Sequence, residues 1–184
     1  MHTNTIERRQ VDYFAFNQPY CNKSRDESFS DVSKQEIDEL LCLYPQNNRI
    51  IKNCKYLKGK LVANLVDQDI AYSIAKPNYF TAEQMVLAVS QMGYLLGGLI
   101  IKDDNYCNVD SSFYKLFLMK ISNLECYYTR LNMKFKKKII KENNNIIEMS
   151  VNKQNYYPTR KRIFVELDVK VGDSFSAETQ LLTI

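Results

Sequence analysis

The hydrophobic positions along this chain are unevenly spread, and their spacing changes near the middle. The most apolar stretch is "NYFTAEQMVLAVSQMGYLLGGLII", residues 78–101. Thr81 followed by Gln84 is a capping-box pattern, so a helix is expected to begin near Ala82. The Gly97-Gly98 pair marks its weakening or end, although apolar residues run on to Ile101. Upstream, "SDVSKQEIDELLCLY" places Ile37, Leu40, Leu41 and Tyr44 at helical spacing. Ser30 or Ser33 would cap this short helix, Glu36 completing a capping box in the second case, and Pro45 ends it. "KYLKGKLVANLV" reads as a strand, and "QDIAYSIAK" as a second strand that turns at 67–69 and stops at Pro77. Beyond the apolar stretch, "FYKLFLMKISN", "RLNMKFKKKII", "NIIEMSVNKQ", "KRIFVELDVK" and "FSAETQLLTI" read as five successive strands. The "KENNN" and "KVGD" links look like hairpins. Residues 1–32 show no sustained period and read as an irregular extension before a single domain over 33–184.

Strands, one long apolar helix, then an antiparallel meander form an α+β layering. A helix apolar on nearly every side suits an antiparallel sheet wrapped around it, which is the hotdog fold. A membrane span is the competing explanation for such a helix. The run Met85 to Ile101 is 17 residues, short of the ~20 needed to cross, and Ser90 and Gln91 interrupt it. A wrapped helix is therefore expected, with no membrane span.

The polar residues of that helix are aligned. At about 100° per residue, Ser90 falls roughly 20° from Glu83 on one side and Tyr94 roughly 20° on the other. Gln84 and Gln91 form a second stripe roughly 80–100° away. Polar groups in a core need partners. Two readings stay open: they satisfy backbone groups or a second subunit, or they line a pocket beside the helix. Glu83, in the first turn, either complements the helix dipole or, if it faces an apolar pocket, acts as a base of raised pKa.

Composition narrows the chemistry. The only histidine is His2, which argues against a Ser-His-Asp triad, a Cys-His dyad and a histidine metal site. The five cysteines are scattered singly without a CxxC, so no metal site is expected. With no signal-like segment in "MHTNTIERRQ", they read as free thiols of a cytoplasmic protein. The net charge of +4 allows an anionic partner. Lys134, Lys136, Lys137, Lys138 and Lys141 cluster in "KFKKKIIK", with Arg160, Lys161 and Arg162 in "TRKR". They form either a solvated face or a docking surface for an acidic carrier protein or the phosphates of coenzyme A. Lys136 and Lys138 share one strand face. No nucleic-acid motif accompanies them, so no nucleic-acid partner is expected.

Tyr44 after a short helix, "CKYL", "IAYSIAKPNYFTAEQMVLAVSQMGYL" and a last strand ending "LLTI" resemble the FcoT-type long-chain fatty acyl thioesterases, a hotdog family. The resemblance spans roughly Leu40 to Ile184 and is best from Ile70 to Leu95. It implies acyl-CoA or acyl-carrier-protein substrates, a tunnel along the helix, no cofactor, and catalysis by tyrosines and asparagines. Tyr44 and Tyr72 match the family's active-site tyrosines, and Gln91 and Tyr94 match its helix pattern. Thr81 and Ser90 stand where the family pattern has asparagines, keeping a hydrogen-bonding group but not an amide.

These residues predict an acyl-thioester hydrolase. Tyr44, Tyr72, Thr81, Glu83 and Ser90 are the candidate catalytic set, and Gln91, Tyr94, Lys136 and Lys138 the substrate-binding set. The helix N-terminus would polarise the thioester carbonyl. Related enzymes of isonitrile lipopeptide biosynthesis give a second expectation: addition of glycine across an α,β-unsaturated thioester, with or without release. A third is a non-catalytic protein that binds acyl carriers. A homo-oligomer built on a hotdog dimer is expected, because such folds pair their sheet edges between subunits.

Overall fold

A computed structural model describes residues 28–67, 77–103, 112–142, 145–157 and 162–183. Its elements run β1 (Ser30–Asp31), α1 (Lys34–Leu40), a 3-10 turn (Gln46–Asn48), β2 (Ile51–Leu57), β3 (Lys60–Leu65), α2 (Ala82–Lys102), α3 (Ser112–Ser122), β4 (Cys126–Phe135), β5 (Ile146–Tyr157), β6 (Arg162–Val171) and β7 (Phe175–Thr183). The seven strands form one antiparallel sheet in the order β1-β2-β3-β5-β6-β7-β4. With the long helix α2 at its centre, the chain adopts the α+β hotdog fold.

The sheet shows one apolar face. Ile163, Val165, Leu167, Val169 and Val171 alternate inward along β6, and Phe175, Ala177, Thr179 and Leu181 along β7. α2 lies against this face. α1, through Leu40 and Leu41, and α3, through Phe113, Phe117 and Ile121, supply further buried side chains to the same core. Enclosure is complete enough that every residue from Gln91 to Ile101 is buried. By length and composition α2 could cross a bilayer, but 83% of its most apolar window is buried inside the fold. Its apolar surface is already covered by protein.

Several elements differ from the sequence reading. "FYKLFLMKISN" is helix α3, not a strand. Phe113, Phe117 and Ile121 recur every four residues and are its buried apolar residues, a helical period masked by aromatic content. "KYLKGKLVANLV" is a hairpin, not one strand. It turns at Lys58 (φ 38) and Gly59 (φ 73), as a two-residue primed turn requires. α2 does not weaken at Gly97-Gly98; it continues to Lys102. The glycines admit neighbours instead of ending the helix. A Cβ at Gly98 would meet Leu40 Cδ2 at 2.1 Å, and one at Gly97 would meet Phe117 at 3.1 Å and Leu181 at 3.2 Å.

The "KENNN" link does not join paired strands, since β4 pairs with β7 while β5 lies between β3 and β6. The "KVGD" hairpin forms as expected, with Gly172 at φ 45. The second strand read at "QDIAYSIAK" falls on 68–76, outside the described residues. Ser30 and Asp31, read as part of the irregular extension, pair with Tyr56 and Lys55 of β2.

Candidate functional site

The start of α2 is built by its cap. Thr81 Oγ1 accepts from the Gln84 N–H (3.3 Å) and Gln84 Oε1 accepts from the Thr81 N–H (3.0 Å). The preceding segment is tied to the chain after β4. Phe80 N–H donates to Ile139 O (2.9 Å) and Lys141 N–H to Asn78 O (2.8 Å). This brings Tyr79, Phe80, Thr81 and Ala82 beside Phe135, Lys136, Lys137 and Lys138, around an open groove of roughly 490 Å3. The Lys138 ammonium sits 5.0 Å from the centre of the Tyr79 ring.

Glu83 is exposed. Hydrogen bonding to its own backbone N–H, then to Thr81, holds its carboxyl below the ordinary glutamate range. The apolar pocket that would raise its pKa is not what it faces, so the structure puts Glu83 in the dipole-complementing position rather than the desolvated one. With the 83 and 84 amides engaged and Met85 N–H donating to Thr81 O (3.0 Å), Ala82 is the first-turn amide without an acceptor among the described residues.

A second cluster lies further along the helix. Thr81 and Ser90 are roughly 12 Å apart along the axis, from the 1.5 Å rise per residue. At Ser90 the half-buried ring of Tyr44 packs against Tyr94, with centroids 6.1 Å apart, and Tyr94 packs against Tyr128 at 6.0 Å. Burial raises the Tyr44 phenol above the ordinary tyrosine value, and the Ser90 side chain, within hydrogen-bonding reach, draws it partly back. Tyr94 is also raised, chiefly by burial, and its hydroxyl donates to Cys126 O (2.9 Å).

Gln91, on the neighbouring stripe, is fully buried. Its Oε1 accepts from Ile50 N–H (3.0 Å) and its Nε2 donates to Asn48 O (2.8 Å). Its amide therefore closes on the backbone between Tyr44 and β2. The helix stripe foreseen from Glu83 to Tyr94 thus runs from solvent, through a half-buried Ser90, to a buried Tyr94.

Of the nine candidate residues, the structure brings Tyr44, Ser90, Gln91 and Tyr94 to mid-helix. It gathers Thr81, Lys136 and Lys138 at the groove, with Glu83 on the adjoining first turn. Tyr72 lies outside the described residues. Three neighbours had not been singled out. Tyr128 donates to Ser90 O (2.9 Å) and reaches Val89 O (3.2 Å). Gly93 gives that ring its space. Arg49 donates from Nε to Tyr44 O (3.0 Å) and pairs with Asp38. Only the alternation of "ECYYTR" hinted that Tyr128 turns inward. Nothing local marks Gly93 or Arg49. Among the described residues no group of three or more His, Cys, Asp or Glu side chains is placed to hold a metal ion.

No protein-family model matches the sequence, and no curated protein sequence matches it. Among solved structures, a proposed thioesterase from Shewanella oneidensis superposes with a TM-score of 0.55 at 11% identity, over 82% of this chain and 95% of that one. A sigma28-regulated virulence protein from Campylobacter jejuni gives 0.45 at 9% identity, over 83% of this chain and 93% of that one. A hypothetical thioesterase from Streptococcus pneumoniae, solved with coenzyme A, gives 0.44 at 9% identity, over 83% and 97%. The likeness to the Shewanella protein establishes the fold.

Proposed function

We propose that this chain hydrolyses fatty acyl thioesters, carried on coenzyme A or on an acyl carrier protein. The observation that carries the reading is the half-buried Tyr44 ring packed on Tyr94 of the central helix, with the Ser90 side chain beside its hydroxyl. A phenol whose pKa is raised stays protonated through the neutral range. Tyr44 therefore serves as a hydrogen-bond donor and not as a base. Its task is to meet the negative charge that grows on the thioester oxygen as water attacks the carbonyl, and Ser90 orients it. The carbon–sulfur bond then breaks, releasing a carboxylic acid and a thiol. Tyr72 is assigned a second donor on the strength of the family resemblance. Glu83 and Thr81 belong to the capped helix start.

The chain works as a dimer in this proposal. β4 is a ten-residue strand that, among the described residues, lies at the sheet edge and pairs with β7 on one side, and a second copy would satisfy its open side.

Incubation of the protein with palmitoyl, oleoyl and 2-enoyl thioesters, with and without glycine, separates the possibilities by mass spectrometry. Free acid and thiol without glycine support hydrolysis. A glycine adduct formed in preference to acid would replace it by amine addition. Thioester bound but unchanged would replace it by a non-catalytic carrier-binding role.

A further inference from the structure

The groove beside α2 carries a second kind of chemistry on its outer rim. Phe135 and Ile140 are each 42% exposed and Ile146 is 46% exposed. Large apolar side chains left in water at one place ask for a partner. The three are linked through shared neighbours: Phe135 lines the groove with Tyr79, Tyr79 bridges to Ile140, and the side chain of Asn145, next to Ile146 in the chain, donates to Ile140 O (2.7 Å). Lys134 and Lys136 flank Phe135 in the chain and Lys137 and Lys138 follow, all exposed. Lys134, Lys136 and Lys137 face no carboxylate at ion-pair distance among the described residues. Lys141 is different. It pairs with Asp67 at 2.5 Å and lies over Phe80, so it contributes to holding the segment. Glu83 and Glu142 are exposed carboxylates next to this segment or within it, Asp67 is engaged by Lys141, and Asp173, in the turn before β7, and Glu148, near the start of β5, are exposed as well. Lys134, Lys136 and Lys137 therefore stand out by lacking an ion-pair partner among the described residues rather than by a local excess of charge.

We propose that this rim is a docking surface for an anionic lipid bilayer. A solvated basic face has no need of Phe135, Ile140 and Ile146, and a purely apolar contact between proteins has no need of four lysines. Apolar tips that enter the acyl boundary, ringed by lysines that stay at the headgroups, match both halves of an anionic membrane surface. Long lysine stems suit this placement, since they lie along apolar surface while the ammonium stays wet. Tyr79, capped by Lys138, sits at the level where an amphipathic ring is favoured. The inference stands on this surface and not on the thioester reaction.

The test is co-sedimentation of the full chain with equimolar phosphatidylglycerol and phosphatidylcholine vesicles, beside vesicles of phosphatidylcholine alone. Binding to the anionic vesicles only, weakening as salt is raised, is expected. Each lysine near such a surface adds roughly fivefold to partitioning, so Lys136→Gln with Lys137→Gln should weaken it roughly 25-fold. Ile140→Ser with Ile146→Ser should weaken it further. Because the chain has no tryptophan, Phe135→Trp gives a single reporter whose emission should shift to the blue on anionic vesicles. No association with anionic vesicles overturns the proposal. So does association unchanged by these substitutions, or a reporter that stays unshifted. Binding to an acidic carrier protein but not to vesicles would reassign the lysines to that partner. Loss of a dimer in the Ile140→Ser variant would reassign the apolar tips to a second copy.

Discussion

Replacing Gly93 by alanine should destabilise the fold, although alanine is the better helix former. A Cβ at this position would lie 1.8 Å from the Tyr128 hydroxyl and 2.9 Å from its Cζ. The ring has to leave. Its hydroxyl then gives up the bonds to Ser90 O and Val89 O, at roughly 1–3 kcal/mol for a buried donor left unpaired. Overpacking adds about 1–3 kcal/mol. The gain in helix propensity returns about 1 kcal/mol. The net cost is about 1–5 kcal/mol, a fall in Tm of roughly 2–20 °C for a domain of this size. Tyr128→Phe removes the atom that makes the shortest contact. The double variant Gly93→Ala, Tyr128→Phe should therefore cost less than the sum of the two single changes, a coupling readable by calorimetry. A Gly93→Ala protein as stable as the parent, or strictly additive changes, would refute this packing.

Gln91→Leu keeps the volume but leaves the buried Ile50 N–H unpaired, so Tm should drop by roughly 4–8 °C for a cost near 2 kcal/mol; an unchanged Tm would show that Gln91 does not fasten this segment. Glu36 bonds Lys102, and that contact chiefly lowers its carboxyl below the ordinary value of 4.5. Its folded pKa is depressed, so its contribution is present above 4.5 and fades as pH falls through the lower folded value. Glu36→Gln should flatten this part of the acid limb in urea titrations, and an identical acid limb would argue against the contact. Burial pushes the Cys54 and Cys126 thiols up to about 12, so at pH 8 both should resist iodoacetamide until the protein unfolds, while exposed Cys42 is alkylated before either of them; native-state labelling of Cys54 would contradict the core assignment.

The sequence was most legible where one element carried its own punctuation. α2 begins at Ala82 because Thr81 and Gln84 cap each other, and both α2 and the capping box at Ser33 were readable from spacing alone. β5, β6 and β7 were readable because their apolar residues alternate or cluster against one face. Misreadings came from residues whose meaning is tertiary. Gly97 and Gly98 look like a helix end until Leu40 and Phe117 are seen entering against them. α3 looks like a strand because its helical period hides among aromatics. The placement of β4 beside β7 depends on a crossover that no local signal specifies. For the site, the angular stripe on α2 identified which residues share a face but not their depth. Glu83 and Tyr94 differ in burial because α2 enters the core progressively, and periodicity carries no information on that axis. The approach of Tyr44 to Ser90 was available only through the family resemblance, since 46 residues separate them in the chain.

The claim at the centre of this account is that the Tyr44 hydroxyl meets the developing charge on a thioester oxygen. Single-turnover hydrolysis of a long-chain acyl thioester by the parent and by Tyr44→Phe tests it directly, because that change removes one oxygen and almost no volume. The account predicts a rate roughly 10²–10³ lower, about 2.7–4 kcal/mol in the transition state, with substrate affinity and Tm nearly unchanged. A Tyr44→Phe protein that turns over at the parent rate would contradict it.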